Sequence, residues 1–184
     1  MIVVEFEKPF KKDIMANAQE EILTPKVLEI FQENAHKDLR SKMYKVDLNR
    51  LININNRYDY DKWYDQTLSW FHEDIFSLYK DQLNVNENNP YTYSAKFLNQ
   101  YIRILSWYSH HDLSEAVQFF VVQHPVMSKG FFKVLNDIGF DQLTDIKNRH
   151  HYFSAISHYR MIIDEDEFDE YSIGLLNLKL GIDL

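Results

Sequence analysis

Residues Ala95 to His124 read AKFLNQYIRILSWYSHHDLSEAVQFFVVQH, the most apolar run of the 184-residue chain. Phe97, Tyr101, Ile104 and Tyr108 recur at helical spacing, and Leu98, Ile102 and Leu105 widen the stripe. His110-His111 interrupts it. Asp112, followed three residues later by Glu115, has the spacing of a capping box, in which each side chain satisfies a free amide at the helix start. From Ala116 to Val122 nearly every residue is apolar, as on a helix buried around most of its circumference, and Pro125 stops the pattern. The run predicts a central helical hairpin.

Upstream, Phe10, Ile14, Ala18 and Ile22 lie along one side of a helix predicted over Pro9 to Leu23. Thr24-Pro25 restarts the chain, a capping residue before proline at the first helical position. Val27, Leu28, Phe31, Ala35 and Leu39 carry that second helix toward Lys45. LNRLININNRYD (Leu48 to Asp59) is a connection or a short helix, and Asp61 to Leu83 is a long amphipathic helix with Tyr64, Leu68, Phe71, Ile75 and Leu78 as its seam. Asn84 to Ser94 reads as a loop, with Ser94 capping the hairpin. Downstream, helices are predicted over Ser128 to Ile138, closed by Gly139, over Asp141 to Ile163, and over Tyr171 to Leu180. The fold class is all-α, a single compact domain (residues 1–184) of about seven packed helices, with room for a short N-terminal strand in MIVVEF.

Composition agrees. Hydrophobic residues make up 45% and charged residues 26%, a globular balance, and Gly 4 and Pro 4 favour long helices over many tight turns. With no cysteine, disulfide scaffolds and thiolate zinc sites are excluded. MIVVEFEKPF lacks the apolar core of a signal peptide, and no run approaches the roughly 20 apolar residues of a membrane span, so a cytoplasmic protein is expected. A formal charge of −8 disfavours direct nucleic-acid binding, leaving room for a local basic patch, and suits a basic protein partner.

Catalytic spacing is scarce. Glu33-x-x-His36 is half of a di-iron motif with no second copy, and His72-Glu73 lacks the second histidine of a zinc-protease helix. His111-Asp112 has the core dipeptide of HD phosphohydrolases, for which His72 and Asp137 or Asp145 would be the remaining ligands, although Asp112 already serves as a cap. His151 and His158 share one helix face without closing a site. No ligand set closes, so no metal or other cofactor and no catalytic residue is assigned.

Two acidic constellations stand out as partner-binding candidates. RYDYDKWYDQ interleaves Asp59, Asp61 and Asp65 with Tyr58, Tyr60, Trp63 and Tyr64, a combination suited to Lys and Arg on a partner. A helix start with aspartate caps and core aromatics accounts for the same residues. The second comprises Asp164, Glu165, Asp166, Glu167, Asp169 and Glu170, which also suits a solvated turn before a helix N-terminus.

Tyr101-Ile102-Arg103-Ile104-Leu105-Ser106-Trp107, the helix after it, and the ending from Tyr171 to Asp183 resemble the PoNi immunity proteins. That family sets an aromatic Gly-Tyr-Trp and a glutamate before an apolar helix closing in Gly-Ile-Asp. Tyr171 and Gly181-Ile182-Asp183 fit here, whereas the tryptophan and that glutamate are absent. The resemblance implies a helical cytosolic bacterial protein that neutralises a PoNe-type nuclease toxin by stoichiometric binding, a device of interbacterial competition. A helical HD-type hydrolase using His72, His111 and Asp112, or a phage or plasmid inhibitor of another host protein, are the alternatives.

Overall fold

Apolar residues on nearly every side make one helix the axis of the molecule. The computed structural model describes residues 8–79, 90–110, 113–137 and 145–165. Among them α6 (Pro90–Ser109) takes that place, with α1 (Lys8–Ile22) and α5 (Arg57–Phe76) packed along it. The short α4 (Leu48–Ile52) and α7 (Leu113–Phe120) also lie against it. Phe97, Leu98, Tyr101, Ile102, Ile104 and Leu105 of α6 are all buried. Its polar side chains have local work. The Ser106 hydroxyl donates back to the Ile102 carbonyl, and Thr92 both donates to the Ile146 carbonyl and accepts from the Ile146 amide, fixing the approach to α9 (Arg149–Glu165). The remaining α-helices of the described residues are α2 (Pro25–Leu28), α3 (His36–Met43) and α8 (Lys129–Asp137). The all-α expectation holds: no strand forms among these residues.

The element boundaries differ from the expected ones for identifiable reasons. Thr24 caps α2 as expected, its hydroxyl accepting from the Val27 amide. The helix does not then run to Lys45; it breaks after Leu28 and resumes through a 3₁₀ turn (Glu33–Ala35) into α3. At the break Phe31 stacks on Tyr79 with ring centroids 4.9 Å apart, and the Gln32 amide donates to the Leu78 carbonyl at 2.8 Å. An isolated antiparallel bridge joins Phe31 to Tyr79. Burying an aromatic pair and satisfying both backbones there outweighs the helical bonds given up.

Helix α5 begins at Arg57 rather than Asp61. The Asn56 side chain accepts from the Asp59 amide at 2.9 Å and donates to the Asp59 carboxylate at 2.7 Å, so cap and third helical residue satisfy one another. It ends at Phe76, not Leu83, because Leu78 and Tyr79 turn away to meet Gln32 and Phe31. Helix α6 begins at Pro90, so Ser94 does not cap it but lies within its first turns, bonding the Pro90 carbonyl, His72 and Tyr79. Asn148 caps α9, accepting from the His151 amide. The expected capping by Asp112 and Glu115, the Gly139 closure, the strand in MIVVEF and the helix over Tyr171 to Leu180 lie outside the described residues or side chains.

After α7 the chain does something helical periodicity does not foretell. Val122 to Ser128 crosses the interior without regular structure, every residue buried. Interior backbone needs partners. Asn99 of α6 supplies one, donating to the Pro125 carbonyl at 3.1 Å, and Gln123 donates to Ser106 at 2.6 Å. This crossing carries His124 to the face that α5 and α9 share.

Candidate interaction surface

The first turns of α5 split into three arcs. Tyr60, Trp63 and Tyr64, three and one residues apart, fall on the seam that continues through Leu68, Phe71 and Ile75, and all are buried. Tyr58 points the other way and is 75% exposed. Asp59 is exposed and engaged in the Asn56 cap. Asp61 and Asp65 lie on the flank facing α9.

That flank is an electrostatic clasp. Arg160 of α9 grips Asp61 with both terminal nitrogens, at 2.6 and 2.8 Å. Arg149, at the start of α9, holds Asp65 through Nε and a terminal nitrogen, and Arg57 reaches Asp164 at 3.0 Å. Paired nitrogens on paired oxygens fix orientation as well as distance.

Beneath the clasp, His124 Nε2 lies 2.8 Å from Asp61, and its Nδ1 lies 2.9 Å from the Tyr152 hydroxyl. Burial pushes the His124 imidazole down to about 4, against the opposing pull of Asp61. For Asp61, burial acts upward, but hydrogen bonds from His124 and Arg160 and their charges outweigh it and bring the carboxyl down to about 2. These protonation states assign the protons. A neutral imidazole beside a carboxylate carries its hydrogen on Nε2 and donates it to Asp61, leaving Nδ1 to accept from Tyr152. Asn99 completes the chain by donating to the Tyr152 oxygen at 3.1 Å. Tyr–His–Asp in series is a proton relay in form. With Tyr152 and the His124 side chain sealed from solvent, its work here is to join α5, α6, α9 and the buried crossing.

The structure thus redistributes the sequence-predicted residues. Tyr60, Trp63 and Tyr64 are core and cannot act as surface anchors; the seam's own periodicity places them inside. Asp61 and Asp65 are committed to α9, and Asp164 to Arg57. Glu165 ends α9 with its side chain outside the description, and Asp166, Glu167, Asp169 and Glu170 lie outside the described residues. Tyr58 and Asp59 remain on the surface. The candidate metal ligands are scattered: His36 bonds the Leu28 carbonyl, His72 bonds Ser94, and His111 and Asp112 fall outside the described residues. Among the described residues no group of three His, Asp or Glu could hold a metal ion. No helix there is long and apolar enough to cross a membrane.

Sequence reasoning passed over His124, Asn99, Tyr152 and Arg160. The available signal was a histidine set in an apolar run directly before Pro125, a place where a polar ring must find partners. In comparisons with known proteins, no family model matches this chain, and neither does any curated protein or solved structure.

Proposed function

We propose that this chain is a cytoplasmic immunity protein that neutralises a basic bacterial toxin, a nuclease first among them, by stoichiometric binding. The observation that carries the reading is Tyr58, 75% exposed at the tip of α5 beside the exposed Asp59. Across the Arg57–Asp164 pair the end of α9 adds Met161, 56% exposed. An exposed aromatic and a thioether with carboxylates alongside supply contact area and charge for a Lys- and Arg-rich face. A nuclease must carry such a face to hold phosphates. The excess of 28 acids over 20 cations and the resemblance of Tyr101 to Trp107 to immunity proteins support the same reading.

The test is calorimetric titration against a toxin encoded by the neighbouring reading frame. Tyr58→Ala should weaken binding at least tenfold with the melting temperature unchanged. Charge reversal at Asp61 or Asp65 is the wrong probe, because it breaks the clasp on α9. An unchanged affinity for Tyr58→Ala would remove the tip of α5 from the interface.

A further inference from the structure

On the other side of its buried seam, α5 borders a groove of about 210 Å³ against the turn between α3 and α4. The half-buried Trp70 forms its wall, the edge of the buried Trp63 two helical turns away reaches only its floor, and the Gln66 amide stands at the edge. Lys45 and Arg50 stand at the rim, both exposed. Among the described residues neither side chain forms a hydrogen bond or an ion pair. Asp47 is the acid of the rim, and its carboxylate already accepts the Arg50 amide as the cap of α4. Just outside, Lys42 is paired with Asp74.

The charge here runs against that of the chain. Residues 37–50 hold Lys37, Arg40, Lys42, Lys45 and Arg50 against Asp38 and Asp47, within a sequence of net charge −8. The Trp70 indole beside unpaired cations complements a ligand that is apolar in its middle and negative at its ends. The volume selects among such ligands. Sites for free small molecules run to roughly 300–1,000 Å³; this one has room for about a single side chain. Nucleic acid is disfavoured by the acidity of the rest of the surface.

We propose that this groove receives an acidic segment of a protein partner, seating one aromatic or large apolar side chain against Trp70 with flanking carboxylates on Lys45 and Arg50. The site is independent of the Tyr58 surface and of the reading built on it.

The experiment titrates the full chain with the blocked peptide acetyl-Asp-Glu-Phe-Asp-Glu-amide, followed by tryptophan fluorescence and calorimetry at two salt concentrations. Saturable binding that weakens with salt is expected. The double variant Lys45→Glu/Arg50→Glu alters two exposed side chains and should lower the affinity at least tenfold while its thermal unfolding matches the parent. Trp70→Ala should lose binding as well. The proposal is overturned by absence of saturable binding, by equal affinity in the charge-reversed variant, or by equal binding of acetyl-Lys-Lys-Phe-Lys-Lys-amide. Phenylacetate binding as tightly as the peptide would make this a small-anion site, and an oligothymidylate binding more tightly would make it a nucleic-acid site; either result also refutes the proposal.

Discussion

Substituting His124 by glutamine keeps an N–H directed at Asp61 while removing a ring that titrates. In the unfolded chain the imidazole has its ordinary value near 6.5, and in the fold burial holds it down to about 4. Between those values the unfolded chain binds a proton that the folded chain refuses, so stability rises with pH across that window. The contribution is complete above 6.5 and gone by about 4. At roughly 1.4 kcal/mol per unit of pKa, the full swing is about 3 kcal/mol. Between pH 7 and pH 4.5 it should amount to about 2 kcal/mol. Asp61 adds little there, because its stabilisation is lost only as pH falls from the ordinary carboxylate range toward 2. Urea unfolding followed by tryptophan fluorescence at both pH values, on the parent and His124→Gln, measures the difference. The variant should be less stable at pH 7, since Tyr152 loses its nearer acceptor and keeps only Asn99 Oδ1 at 3.4 Å, yet lose about 2 kcal/mol less than the parent on acidification. Parallel losses would show that the imidazole does not titrate in this window. A larger loss in the variant would mean that the ring is charged in the fold, reversing the proton assignment.

Phe120→Ala, at a side chain 1% exposed on α7, should destabilise the fold by about 3–5 kcal/mol in the same urea assay; a negligible change would put that ring outside the core. Asn56→Ala removes the reciprocal cap of α5 and should cost about 1 kcal/mol, read as a fall of a few degrees in melting temperature, with Asn56→Ser, which keeps an acceptor for the Asp59 amide and a donor for its carboxylate, recovering part of it.

What could be read in advance, and what could not, divides by distance along the chain. The α1 stripe and the Thr24 cap depend on neighbours within two turns: Thr24 caps as expected and Ile14, Ala18 and Ile22 are buried, whereas Phe10, in the first turn of α1, is 45% exposed. The break after Leu28 depends on Tyr79, nearly fifty residues away, so no local pattern foretells that Phe31 leaves the helix. The acidic stretch of α5 is an intermediate case. Tyr60, Trp63 and Tyr64 sit in register with Leu68, Phe71 and Ile75, so their burial was available from periodicity; the mixture of aromatics and acids obscured it. That Asp61 and Asp65 are spent on Arg160 and Arg149 was not available, because it requires knowing which helix covers that flank. For His124 the sequence showed only an ill-fitting residue, and its partners come from three other elements.

The aromatic interior also sets an alkaline limit on this molecule. Tyr60, Tyr64, Tyr79, Tyr101, Tyr152 and Tyr159 are buried, six of the chain's 12 tyrosines, and burial raises each phenol above its ordinary value near 10. Folded, they keep their protons; unfolded, they surrender them as the solution passes pH 10. The stability they contribute is therefore intact below that point and drains away above it. Phenolate absorbance should accordingly rise in two stages, first from rings that solvent reaches and then, in one cooperative step, from the interior as the helices part. The same rings that close the core make its opening visible as a change of colour in the ultraviolet.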